Sequence, residues 1–157
     1  MTPASDSAAR LEARPGALSD ETRASLRWAL TDGVGPIIFT RLVERFGSAA
    51  AALGAPAREL AELERVGHEK AARIARARDA VAVDVELEAA AEHGVRVISR
   101  FDGDYPPGLR RIPDAPIVLF VKGELRPTDA VALAVVGSRR CSIYGSEQAR
   151  RFGELLA

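Results

Sequence analysis

From residue 19 to residue 93 the apolar positions recur at helical spacing; from residue 94 on they gather into short runs of strand type. Ser19 is a good helix N-cap, and Asp20 and Glu21 follow in the first turn, where the helix dipole favours acids. This first helix runs through Leu26 and Leu30, one turn apart on one face. Gly33 and Gly35 break it, and Pro36 suits the first position of the next helix. Ile38, Leu42 and Phe46 form the second apolar stripe, which Gly47 ends. A similar device recurs downstream. Leu60 and Leu63 belong to a short helix, Val66-Gly67 forms a turn, and a longer helix buries Ile74, Val81 and Val85. That helix is expected to continue to His93, with Gly94 as its stop. Trp28 and Phe39 read as core.

The strand-type runs are "VRVIS" (95–99) and "IVLFV" (117–121), bounded by Gly, Pro and Asp. The four prolines of "FDGDYPPGLRRIPDAP" between them preclude a regular helix. "VALAVV" (131–136) is a third run, apolar on both faces, as expected of a parallel strand buried under helices, and a helix follows from about Tyr144. A parallel strand needs a crossover and a neighbour, so the pattern is that of the front part of a longer α/β protein, cut short at residue 157. The expected organisation is a mobile Ala/Ser/Pro-rich leader at 1–18, an all-α domain at 19–93 and the first part of a parallel-sheet domain at 94–157.

Composition narrows the function. The 22 basic and 22 acidic residues cancel, so any anion site must be local. Arg outnumbers Lys 20 to 2, which makes the exposed cations forks suited to phosphate. The single cysteine, Cys141, excludes an internal disulfide framework and fits a reducing cytoplasm. No run is long and apolar enough to span a bilayer, and the N-terminus lacks the order of a signal peptide. A cytoplasmic protein with no membrane partner is expected.

Two stretches carry chemistry. Gly33-Val34-Gly35 between two helices has the form of a helix-hairpin-helix, in which hairpin amides and a helix N-terminus face a nucleic-acid phosphate. The bland alternative is a turn that needs glycine only for its backbone angles, and positions 34–40 hold no Lys or Arg. The second stretch, "VVGSRRCSIYG", combines a strand end, a glycine turn, a hydroxyl, two guanidiniums and a helix start. It is neither a Walker A loop nor the G-x-G-x-x-G dinucleotide fingerprint, so a nucleotide cofactor is not expected. The amides of 137–139 and the Ser138 hydroxyl can donate to phosphate oxygens, and Arg139 and Arg140 can neutralise them. The alternative there is an ordinary turn with solvated arginines. Tyr144 could stack on a base, although an aromatic at a helix start more often packs in a core. His68 and His93 lack further ligands at metal spacing, and Cys141 has no nearby base in sequence, so neither a metal site nor a nucleophile is expected.

The succession of "LRWALTDGVGPIIFTRLVERFGSAAAAL", "GDYPPGLRRIPDAPIVLFVKGEL" and "ALAVVGSRRCSIYG" resembles the DprA/Smf family of bacterial DNA-processing proteins, over about residues 20–157. The resemblance implies a sterile-alpha-motif-like helical domain followed by a Rossmann-like one. It also implies single-stranded DNA binding and loading of RecA during natural transformation, by a non-catalytic mediator. It places the DNA-phosphate site on Gly137, Ser138 and Arg139, extended to Arg140, and a homodimer contact in sequence beyond this chain. Two departures stand out: Cys141-Ser142-Ile143 replaces a more usual Pro-Thr-Pro, and a second glycine motif is missing. Two other classes compete. One is a nucleotide-processing enzyme of the phosphoribohydrolase type, whose Pro-Gly-Gly-x-Gly-Thr loop does not occur here; the other is a helix-hairpin-helix adaptor that binds protein.

Overall fold

The computed structural model describes residues 18–126 and 133–156, so the expected leader lies outside it except for Leu18. These residues fall into two units, divided between Leu125 and Arg126. The first unit contains six helices, α1 (Asp20–Leu30), α2 (Pro36–Phe46), α3 (Ala49–Leu53), α4 (Ala57–Leu60), α5 (Gly67–Ala80) and α6 (Val83–Glu92). Strand β1 (Val95–Ser99), the single turn α7 (Pro107–Arg110) and strand β2 (Val118–Lys122) complete it. The second unit holds α8 (Ile143–Leu156).

The helix boundaries follow from local chemistry. Ser19 Oγ accepts the Thr22 amide at 3.1 Å and caps α1. Pro36 opens α2, and Gly47 closes it in the left-handed conformation, φ +87°. Glu21 reaches across to α3, where its carboxylate accepts the amides of Ala49 (2.6 Å) and Ala50 (3.0 Å). An anion thus satisfies the exposed donors of a five-residue helix that could not stand alone.

Two apolar clusters hold these helices. The larger gathers Trp28, Phe39, Leu42, Leu60 and Ile74 with Ile117 from the segment before β2. The smaller joins Leu26, Val83, Ala90 and Val97, with half-buried Leu18 against it. The stripe of α2 is as expected, but Leu30 at the end of α1 is exposed. The expected long helix over 67–93 is broken. Val81 is extended (ψ 121°), and Arg27 Nη1 donates to the carbonyls of Arg78 (3.2 Å) and Val81 (3.0 Å). A cation from α1 therefore satisfies the last carbonyls of α5 and stabilises the stop. The break shifts the helical phase, so Val83 and Ala90 face inward while Val85, expected inside, is exposed.

The sheet corrects a second expectation. β1 and β2 form, but they pair antiparallel, with Val97 opposite Phe120 and Ser99 opposite Val118. The sheet has two strands, and no parallel pairing occurs among the described residues. Of the run 131–136, residues 131–132 lie outside the described residues, and 133–136 take no regular structure, with Val136 90% exposed. A buried parallel strand requires neighbours on its edges and helices over both faces; no described strand pairs with this run.

A polar knot ties the hairpin to α1. Asp102 Oδ2 accepts the Ser99 amide at 2.6 Å, and Thr22 Oγ1 lies 2.9 and 3.0 Å from the two carboxylate oxygens. Buried Tyr105 donates its hydroxyl to the Pro116 carbonyl at 2.9 Å, which anchors the proline-rich connection. One buried hydroxyl is different: Ser25 Oγ has no hydrogen-bond partner among the described residues. Ser25→Ala should therefore leave stability unchanged or raise it by up to about 1 kcal/mol. A fall in the urea midpoint would show that this hydroxyl is satisfied in solution.

Candidate nucleic-acid interface

The first hairpin is built on backbone geometry. Thr31 leaves α1 extended, the Val34 amide returns to the Thr31 carbonyl (3.1 Å), and Val34 is buried. Gly33 sits at φ +84°, where a side chain is strained, while Gly35 is extended and serves as the N-cap of α2. No side chain caps the first turn of α2. Its leading amides therefore point outward without an intrahelical partner.

The cations missing from positions 34–40 come from α5. A β-carbon at Gly33 would meet Ile74 Cγ1 at 3.5 Å, Arg73 Nη2 at 3.6 Å and Lys70 Cε at 3.8 Å. The first glycine turn thus lies directly beside two basic side chains of the second helical hairpin. That hairpin turns through Arg65 (φ +66°) and Gly67 (φ +65°). At its helix start, a groove of about 400 Å³ is lined by residues 66–70 together with Arg73 and Arg76. Arg73 makes a long, exposed ion pair with Asp32 at 3.9 Å, worth little in water. Neither Lys70 nor Arg76 pairs with a carboxylate among the described residues. Sequence reading reached Gly33 and Gly35 but missed Lys70 and Arg73; the repeated Val66-Gly67 turn was the available signal.

In the second unit, Gly137, Ser138, Arg139 and Arg140 form an exposed turn that leads into α8. Ser138 Oγ accepts the Arg140 amide at 3.2 Å, and Ser142 Oγ accepts the Gly145 amide at 3.1 Å. The second of these caps α8. Among the described residues Arg139 and Arg140 have no carboxylate partner. Tyr144, in the first turn of α8, is 70% exposed, so it is not a core residue among the described ones. Cys141 is a free, exposed thiol. No group of three or more His, Cys, Asp or Glu side chains among the described residues could hold a metal ion. No helix among them is long and apolar enough to cross a membrane.

The chain thus combines helical hairpins that turn on glycine with a basic turn at a helix start, whose amides and guanidiniums suit an anion such as phosphate. Residues 19–91 match the family model of the DprA-like N-terminal HHH domain, and residues 96–157 match that of DNA recombination-mediator protein A. Protein Smf of Synechocystis sp. is 29% identical over 135 residues, covering 83% of this chain and 34% of that protein. Protein Smf of Escherichia coli is 45% identical over 71 residues, covering 45% of this chain and 18% of that protein. No solved structure matches. The chain belongs to the DprA/Smf family. It spans about a third or less of the length of these curated relatives.

Proposed function

We propose that this chain supplies DNA-contacting surfaces of a recombination mediator that binds single-stranded DNA without catalysis. The observation that carries the reading is the exposed Gly137-Ser138-Arg139-Arg140 turn at the start of a 14-residue helix, its two guanidiniums without an ionic partner among the described residues. Unpaired forks beside helix-start amides suit phosphate oxygens, and such contacts are indifferent to sequence. Lys70, Arg73 and the Gly33–Gly35 hairpin add a second phosphate contact, and Tyr144 offers a face for a base.

The description of the matching family as a recombination mediator supports this reading, together with a place in DNA processing during natural transformation. In the same reading, residues 19–93 and 94–157 are two sequence domains of a cytoplasmic protein, and the β1–β2 hairpin of the second packs on the helices of the first. Residues 131–136 become a strand of a Rossmann-like sheet when further strands are present, and RecA and a second copy of the protein are the partners. Arg139→Ala should weaken oligonucleotide binding and flatten the plot of log affinity against log salt by about 0.7. An unchanged affinity and slope would remove Arg139 from the site.

A further inference from the structure

Arg100 is a half-buried cation with no ionic partner among the described residues. Its guanidinium carbon lies 4.6 Å from the Phe39 ring centre and 5.4 Å from that of Phe101. Nη1 donates to Thr40 Oγ1 at 2.9 Å. No carboxylate of the described residues lies in ion-pair range, so one of its five N–H donors is used within them. Burial pushes this group below the usual arginine range, and neighbouring Tyr105 and Glu44 only partly offset the effect. A guanidinium held in this way between rings is favourable toward an incoming anion, because part of its desolvation cost has already been met by folding.

The group opens onto a groove of about 330 Å³, where a second cation and two apolar side chains meet it. Arg110 is exposed, anchored by Nη2 to the Asp102 carbonyl at 2.8 Å and set over the Tyr105 ring at 5.7 Å. Phe101 is 44% exposed and Ile112 41% exposed. We propose that the groove between Thr40, Arg100, Phe101, Arg110 and Ile112 seats one nucleotide of a single strand, the arginines holding phosphate and the Phe101 ring carrying the base. A cationic groove with an open aromatic face is the pairing that single-strand binders use, since every base has a stacking face. The proposal rests on the single-stranded DNA reading but places contacts in the first unit, away from the Gly137–Arg140 turn in sequence.

The test measures fluorescence anisotropy of a labelled oligothymidylate with the full chain and its Phe101→Ala, Phe101→Leu, Arg110→Gln and Arg139→Ala variants, with thermal unfolding of each. Phe101→Ala should weaken binding about 5- to 100-fold, and Arg110→Gln should flatten the salt plot by about 0.7, with unfolding midpoints near that of the parent. Photo-crosslinking with an iodouracil-substituted strand should label the peptide spanning residues 100–112. Phe101→Leu guards against a packing loss, because it keeps apolar volume and removes the stacking face. If the Phe101 and Arg110 variants bind like the parent while Arg139→Ala weakens, the groove is not a nucleotide seat and the broader reading survives. If the parent chain does not bind the strand, both fail. Groove variants that lose an acidic aromatic peptide but keep the oligonucleotide would reassign the groove to a protein partner and overturn the proposal.

Discussion

Replacing Trp28 with alanine is expected to lower the unfolding free energy by about 3–5 kcal/mol, the largest single-residue effect in the chain. Trp28 is fully buried in the larger apolar cluster with Phe39, Leu42 and Ile74. It also joins elements, because its Nε1 donates to the Ala49 carbonyl at 3.0 Å and the Arg78 guanidinium lies 5.8 Å from its ring centre. Alanine would leave a cavity, remove the donor to the Ala49 carbonyl and loosen the seat of α3 against α1. Trp28→Phe separates the terms, since it keeps much of the volume but removes the donor to the Ala49 carbonyl; about 1–3 kcal/mol is expected. Urea unfolding measures both. A Trp28→Ala midpoint close to that of the parent would contradict the placement of this ring at the centre of the helical core.

The second large effect is expected at Asp102. Its carboxylate accepts the Ser99 amide and meets the Thr22 hydroxyl, and Ser99 and Thr22 are both buried. Alanine would leave the buried Ser99 amide without its acceptor, while the Thr22 hydroxyl keeps Ser19 Oγ at 2.8 Å and Ser99 Oγ at 3.3 Å, so a loss of about 1–3 kcal/mol follows. The damage should be localised. Amide hydrogen exchange at Ser99 should accelerate more than at Leu42, since the knot fixes the end of β1 onto the N-terminal turn of α1. Asp102→Asn keeps one acceptor and should lose less. Equal exchange at Ser99 in Asp102→Ala and parent would show that the knot does not hold the hairpin.

The sequence reveals the elements best where one residue type settles a boundary. Ser19, Pro36, Gly47 and Gly94 mark helix ends by their own hydroxyl, ring or backbone freedom, and each acts where it was expected. The rest depends on partners far along the chain. The stop after Ala80 is stabilised by Arg27, more than fifty residues earlier, so periodicity alone runs the helix through it and misplaces Val85. Alternation marks 95–99 and 117–121 as strands, but the direction of pairing depends on how the proline-rich connection folds back, through Tyr105 and Asp102.

The same limit applies to the candidate sites. The Gly33 turn looked bare of cations because Lys70 and Arg73 are brought to it by the packing of α5. Arg100 stands in sequence as one arginine among twenty, and its singularity comes from two rings and Thr40, which α2 and the end of β1 bring together. The Gly137–Arg140 turn, by contrast, is local, so its donors and its place before a helix could be read directly.

The central claim is that arginines in this turn hold phosphates of a single strand. The most direct measurement is the salt dependence of oligothymidylate affinity for the parent chain and for the Arg139→Ala/Arg140→Ala variant. Each lost phosphate contact on a single strand removes about 0.7 from the slope of log affinity against log salt, so the double variant should be flatter by about 1.4 and bind more weakly at low salt. Identical slopes and affinities for the two proteins would contradict the claim.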